Sequence, residues 1–286
     1  MADTPARGLG RVALLGTGLI GGSFAAALKR HGLCLDVVGY STGDAARARD
    51  LGLVDEIAAS PEAAVAGCDT VVLAAPVSAN CDLLERIASS LRAGMLVTDL
   101  SSVKMPVVRV ARERLGQHVA RFVPSHPIAG SERSGPEAAD ASLFEDRAVV
   151  LSPLPENDAD AVALLAAIWE RIGARVMQLP ADEHDRLYAQ VSHWPHAIAF
   201  GLAAAVGRDD VPAALVGPGL ADLTRTAASS PELWADILLS NVGPALAAAA
   251  RFRQEMKAIE SAMRRGDRDA LVALLEAGAR WRRGFQ

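Results

Sequence analysis

Residues 11–30, RVALLGTGLIGGSFAAALKR, decide the fold. Val12 to Leu15 form a short apolar run, suited to a strand buried on both faces of a parallel sheet. Gly16, Gly18 and Gly21 follow as G-x-G-x-x-G, and an alanine-rich helix then runs from Ser23 to a stop near His31 and Gly32. Gly16 makes the tight turn, Gly18 lets a pyrophosphate approach the backbone, and Gly21 lets the helix lie against the strand. The pyrophosphate sits on free N–H groups at the helix N-terminus, which places Leu19 and Ile20 at the cofactor. A chain with 24 glycines can form this spacing by chance. The strand before it and the helix after it favour dinucleotide binding over an ordinary glycine-rich turn.

Strand-like and helical stretches alternate as far as Pro180, the pattern of an α/β Rossmann-like fold with a doubly wound parallel sheet. Further strands are expected at 35–40, 69–75, 95–100, 147–151 and 174–179, with 122–124 leading into Ser125-His126-Pro127. Helix signals lie between them. Residues 44–51 close on Gly52, and Ser60-Pro61 opens a helix. Ser78 can cap a helix to Leu91, and Asn157 one ending at Gly173. Ser101 and Ser102 can cap a helix from Val103, or bond a cofactor or a catalytic histidine. Ligands bind beyond the carboxyl ends of such strands. Ser41, Pro76, Ser101, Ser102 and His126 therefore converge on one crevice.

The tip of the second strand bears on the choice of cofactor. An Asp or Glu there bonds the ribose hydroxyls of NAD. This chain has Ser41 and Thr42, with Arg47 and Arg49 close behind. Hydroxyls beside guanidiniums suit a 2′-phosphate, so NADP is favoured over NAD, although Asp44 lies nearby and the arginines can equally be a solvated helix face.

From Ala181 the strand-like runs vanish and alanine-rich helices take over, so the domains are 1–180, dinucleotide-binding, and 181–286, all-α. Leu238, Leu239, Val242, Leu246 and the alanines to Ala250 exceed what one helix face needs. They imply a homodimer through this half; the alternative is a monomer whose helices bury each other. At 286 residues and 51% apolar, with 22% charged, the chain is globular. A net charge of −5 gives no support to nucleic-acid binding. No apolar run is long enough to cross a membrane. Cys34, Cys68 and Cys81 have no metal-ligand spacing and read as buried thiols of a reducing cytoplasm.

Histidine is scarce, at six residues, and its placement is informative. His126 follows a strand. His193 and His196 lie at i, i+3 in VSHWPH, on one helix face, and suit anion or substrate contacts better than a metal. Pro195 should kink this helix at His193-Trp194. Arg225 suits bidentate carboxylate binding or, equally, a salt bridge to Asp222.

GTGLIGGS, DLSSVK at 99–104, HPIAGSERSG at 126–135, LF at 143–144, ADEHDRLYAQVSHWPHAIAF at 181–200 and DLTRTAASSPELWADILLSN at 222–241 together resemble the TyrA family. That family comprises prephenate, arogenate and cyclohexadienyl dehydrogenases. The resemblance covers most of the chain, in order, and implies oxidative decarboxylation of a cyclohexadienol with hydride transfer to NAD(P)+. It implies that His126 is the catalytic histidine and that Ser102 orients it. It assigns a substrate carboxylate to Arg225 and the pocket lining to Ser192, His193 and His196. Ser131 and Glu132 match a loop over the site, with Glu132 a gate. Rivals are a β-hydroxyacid or ketopantoate reductase, which relies on a lysine in the helical half, and a non-catalytic dinucleotide sensor. The only lysine beyond residue 180 is Lys257, far from the motifs. Changing Ser41→Asp is expected to move cofactor preference towards NAD; an unchanged ratio of kcat/KM for the two cofactors would show that the ribose lies elsewhere.

Overall fold

The structure is a computed structural model that describes residues 8–43, 45–131, 133–209 and 211–285. The predicted strands form as β1 (Arg11–Leu15), β2 (Asp36–Tyr40), β4 (Thr70–Leu73), β5 (Leu96–Asp99), β6 (Phe122–Pro127), β7 (Ala148–Leu151) and β8 (Arg175–Gln178), with a short β3 (Glu56–Ile57) that the sequence did not signal. They make one eight-stranded sheet in the order β3-β2-β1-β4-β5-β6-β7-β8. All neighbours are parallel except β6 and β7, which run antiparallel. The parallel sheet expected from the sequence is thus present, with one antiparallel junction between β6 and β7.

Alternation along β1 shows why both faces are dry. Val12 and Leu14 enter one apolar cluster, while Ala13 and Leu15 enter the other. The first cluster receives α1 (Leu19–Arg30) and α6 (Ala159–Arg171), and Phe24, Phe144 and Trp169 interlock there. Ring centroids stand 4.6 Å apart for Phe24–Trp169 and 5.2 Å for Phe144–Trp169. The second cluster receives α3 (Pro61–Val65), α4 (Val77–Ile87) and α5 (Met105–Arg114). A short α2 (Ala45–Asp50) follows β2 and ends before Gly52, whose φ is 72°.

Ser60 caps α3 as expected, its hydroxyl accepting from the Ala63 N–H at 3.1 Å. Three other caps are corrected. Pro76 precedes α4, and the Ser78 N–H instead donates to the Asp236 carboxylate. Asp158 precedes α6, while the Asn157 side chain ties together Leu154, Val119 and Phe122. Helix α5 begins at Met105, so neither Ser101 nor Ser102 caps it.

Beyond β8 the described chain is helical: α7 (Ala181–Tyr188), a π-helical turn (Ala189–His193), α8 (Trp194–Gly207), α9 (Pro218–Thr224), α10 (Pro231–Ser240), α11 (Val242–Arg264) and α12 (Arg268–Arg283). The π turn ends at His193, two residues before Pro195, beside the His193-Trp194 step where the sequence placed a kink. Helices α10 and α11 meet at 97° around Asn241. No single helix among the described residues is long and apolar enough to cross a membrane.

The glycine turn behaves as its sequence dictates. Gly16 has φ 107°, and a Cβ there would lie 2.5 Å from the Ala74 carbonyl carbon. A Cβ on Gly21 would lie 2.1 Å from the Gly16 oxygen, whereas one on Gly18 would meet nothing within 4 Å. Gly21 is therefore bound by packing and Gly18 faces open space, as a ligand's approach requires. Gly21→Ala should lower the urea midpoint by the equivalent of about 1–3 kcal/mol. Gly18→Ala should leave that midpoint unchanged yet weaken dinucleotide binding in a fluorescence titration. Equal stability losses in both variants would contradict this division.

Candidate active site

His126 lies on β6, near the strand's carboxyl end, where Ser125–Pro127 pair with β7. Only 9% of its surface is exposed. Its Nδ1 meets His184 Nε2 at 2.8 Å, and His184 Nδ1 meets Asp185 Oδ1 at 2.8 Å. A carboxylate anchored by backbone N–H groups accepts hydrogen bonds and does not donate them. His184 therefore carries its proton on Nδ1 and offers a lone pair at Nε2. His126 must then donate from Nδ1, which leaves the lone pair of its own Nε2 without a partner among the described residues.

Asp185 is held from the other side by α5. The Lys104 N–H donates to its Oδ1 and the Met105 N–H to its Oδ2, both at 2.8 Å. This carboxylate from α7 supplies the cap that α5 lacks locally and sits at the positive end of the helix dipole. Lys104 itself is wholly buried, its ammonium paired with Asp99 and donating to the Ser125 carbonyl. Tyr188 stacks on His184, with centroids 4.4 Å apart, and presents an edge contact to His126 at 5.0 Å.

The bend between α10 and α11 delivers Asn241 to the same place. Its amide donates to the Asp185 carbonyl at 2.8 Å and meets His193 Nδ1 at 3.0 Å. His193 then carries its proton on Nε2, a buried atom aimed at the Ser102 backbone. His196 stacks on Trp234 at 3.6 Å between centroids and donates from Nδ1 to the Ser192 carbonyl at 2.8 Å.

Burial pushes His126 well below the ordinary histidine range, with His184, Lys104 and His193 adding repulsion. Burial also lowers His184, against the pull of Asp185, and takes His193 down to about 4. His196 is lowered by burial, and the Arg225 charge adds to the shift. All four rings are neutral at pH 7.

The other expected site residues fall as follows. Arg225 opens a short 3-10 segment (Arg225–Ala228), is exposed, and forms no ion pair among the described residues; the Asp222 bridge does not form. Ser101 is buried and its hydroxyl accepts from Asn80 at 2.8 Å, so it faces inward. The Asn80 side chain also bonds both the N–H and the carbonyl of Ala75, which fixes the turn before Pro76. Ser41 and Thr42 follow β2, and Arg47 pairs with Glu137 at 2.8 Å. Ser131 is exposed and accepts from the Arg133 N–H. Glu132 and Asp44 lie outside the described residues. His184 and Asp185 lie in the ADEHD stretch but had no role assigned from the sequence, and Asn80 and Asn241 were not singled out. Lys104 had one signal: it is one of only three lysines in an arginine-rich chain.

Comparison with known proteins decides the family. The description "Prephenate dehydrogenase, nucleotide-binding domain" matches residues 24–178, and "Prephenate dehydrogenase, dimerization domain" matches 180–277. The chain belongs to the prephenate dehydrogenase family. It is 36% identical to a cyclohexadienyl dehydrogenase of Zymomonas mobilis over 91% of both chains. It is 33% identical to a prephenate dehydrogenase of Bacillus subtilis over 96% of this chain and 76% of that one. A solved prephenate dehydrogenase from A. aeolicus, in complex with hydroxyphenyl propionate and NAD+, superposes with a TM-score of 0.90 at 30% identity, covering 99% of this chain and 100% of that chain.

The neutral histidines carry a stability consequence. The unfolded chain protonates His193 below pH 6.5, but the folded chain resists down to about 4. Stability is therefore lost as pH falls through that window, by up to about 1.4 kcal/mol per pH unit for each such histidine. Urea midpoints measured at about pH 7.5, 6 and 5 should decline, and His193→Gln should flatten the slope. A flat wild-type profile would contradict the burial argument.

Proposed function

We propose that this chain oxidatively decarboxylates prephenate, arogenate or both, with hydride transfer to NAD(P)+, to give 4-hydroxyphenylpyruvate or tyrosine in tyrosine biosynthesis. The observation that carries this reading is the neutral His126, its Nδ1 committed to His184 and its Nε2 unbonded among the described residues, at the carboxyl edge of the sheet. The names of the relatives agree with it.

When bound, the nicotinamide supplies a hydride acceptor. Gly16, Gly18, Leu19, Ile20 and Gly21 would hold the pyrophosphate, with Ser41 and Thr42 at the ribose and Pro76 towards the nicotinamide, while Ser101, bonded to Asn80, would support that turn from behind. The open space at Gly18 fits this group. His126 Nε2 accepts the proton of the substrate 4-hydroxyl as hydride leaves C4. The electron pair released with CO2 makes the ring aromatic, and the proton returns to the phenolate oxygen. Ser102 orients His126 and the hydroxyl. Arg225 holds a carboxylate, and Ser192, His193, His196, Ser131 and Glu132 line the substrate site. Fixing a dianion among arginine and neutral imidazoles is proximity and electrostatic catalysis.

NADP is the proposed cofactor over NAD because no carboxylate follows β2 at Ser41. A 2′-phosphate would share Arg47 with Glu137. The division is placed at residue 180, between β8 and α7, with a homodimer through the helical half. Leu223, Leu239 and Leu246 are 67%, 74% and 58% exposed there, an apolar surface that a second copy would cover.

Purified protein given prephenate, then arogenate, with each nicotinamide should produce reduced cofactor. His126→Asn should cut kcat about 10²–10⁴-fold while leaving cofactor binding intact. With the His126 pKa depressed, the acid limb of kcat/KM should fall below the 6.5 of an ordinary histidine. No turnover of either substrate by the unaltered protein would refute the reading.

A further inference from the structure

Outside the residues assigned to substrate and cofactor, the molecule buries a second histidine and a carboxylate with no role in the reaction as described. His184 is fully buried and Asp185 is 2% exposed. Neither could touch a substrate, yet both stand in line behind His126. We propose that His184, polarised by Asp185, is a positioning residue that fixes His126 as the Nε2 base and spreads the charge of the proton it takes. The proposal rests on the reading of His126 as that base.

The direction of the line follows from its anchored end. Asp185 accepts from two N–H groups of α5 and its own carbonyl is held by Asn241, so the carboxylate cannot turn away. Reversing the His184 tautomer would set an imidazole lone pair against a carboxylate oxygen at 2.8 Å. Reversing His126 alone would set two lone pairs together, again at 2.8 Å. Tyr188 stacked on the His184 ring opposes rotation of that ring. Each alternative is excluded by a neighbour, and only one leaves an acceptor at His126 Nε2.

The same arrangement answers an electrostatic difficulty. Groups around His126 are Asp99 from the end of β5, Lys104 from the β5–α5 connection, His184, Asp185 and Tyr188 from α7, and His193 from the π turn. Lys104 opposes a positive charge on His126, and Asp99 offsets Lys104 by direct pairing. Asp185 is the remaining anion, and it reaches His126 only through His184. When Nε2 takes the hydroxyl proton, the Nδ1–H bond to His184 strengthens and His184 leans on Asp185 in turn. The proton is held for one step and then returned to the phenolate, so no net proton is consumed.

Two variants and one spectrum test this. Gln in place of His184 offers a carbonyl towards His126 and an N–H towards Asp185, whereas Leu offers neither. His184→Leu should lower kcat about 10²-fold with KM within about threefold, and should displace the acid limb of the pH profile. His184→Gln should recover kcat to within about tenfold of the unaltered protein. Nitrogen-15 spectra of histidine-labelled, unaltered protein should show His126 protonated at Nδ1 and bare at Nε2. An Nε2–H tautomer at His126, wild-type kcat in the Leu variant, or equal losses in Leu and Gln would each overturn the proposal. The spectrum needs no substrate, so it reports on the tautomer even if neither prephenate nor arogenate is turned over.

Discussion

The Asp185 carboxylate joins the two halves of this protein, and most of the site depends on that junction. It belongs to the first helix after the sheet, yet its oxygens receive the leading N–H groups of α5, from the sheet half. Capping a helix from another element meets backbone needs that nothing nearby in sequence supplies. The same carboxylate sets the His184 proton, which sets the His126 proton. A structural contact and a chemical one thus share two oxygen atoms. Loss of the carboxylate would loosen the docking of the halves and blur the tautomer together.

What the sequence revealed and what it hid divide along contact distance. The glycine turn was legible because its spacing and its flanking strand and helix are local, although the atoms that forbid a Cβ at Gly16 belong to Ala74 and Ala75 at the β4 tip. His126 was legible because a strand tip in this fold faces the crevice. Asp185 was not, because its partners are 80 and 81 residues away. Asn241 was hidden for the same reason, being 56 residues from Asp185 and placed by a bend between two helices. The reversed β7 had a signal that went unread: the described connection from β6 carries only a 3-10 turn, whereas a parallel partner needs a helical crossover.

A cluster of three buried imidazoles beside a buried lysine is an unusual way to fill a core. Each histidine is kept neutral mainly by desolvation, and Lys104 reinforces this for His126 and His184. That arrangement weakens the fold on the acid side, since the unfolded chain is the better proton acceptor. In exchange the crevice holds bases that stay unprotonated at neutral pH. Stability is given up where the chemistry needs a lone pair.

The π turn before Pro195 acts on phase. A regular helix advances about 100° per residue, so His184 and His196, twelve positions apart, would point about 120° away from each other. One inserted residue cuts the effective count to eleven and the difference to about 20°. For His184 and His193 the same insertion turns about 180° into about 80°. The extra residue brings the three rings of one rod round towards His126 and Trp234. Removing one residue between Ala189 and His193 would leave composition and apolar pattern almost untouched, yet rotate the downstream histidines away from the sheet. The number of residues in that turn is thus itself a functional character, one that no side chain carries.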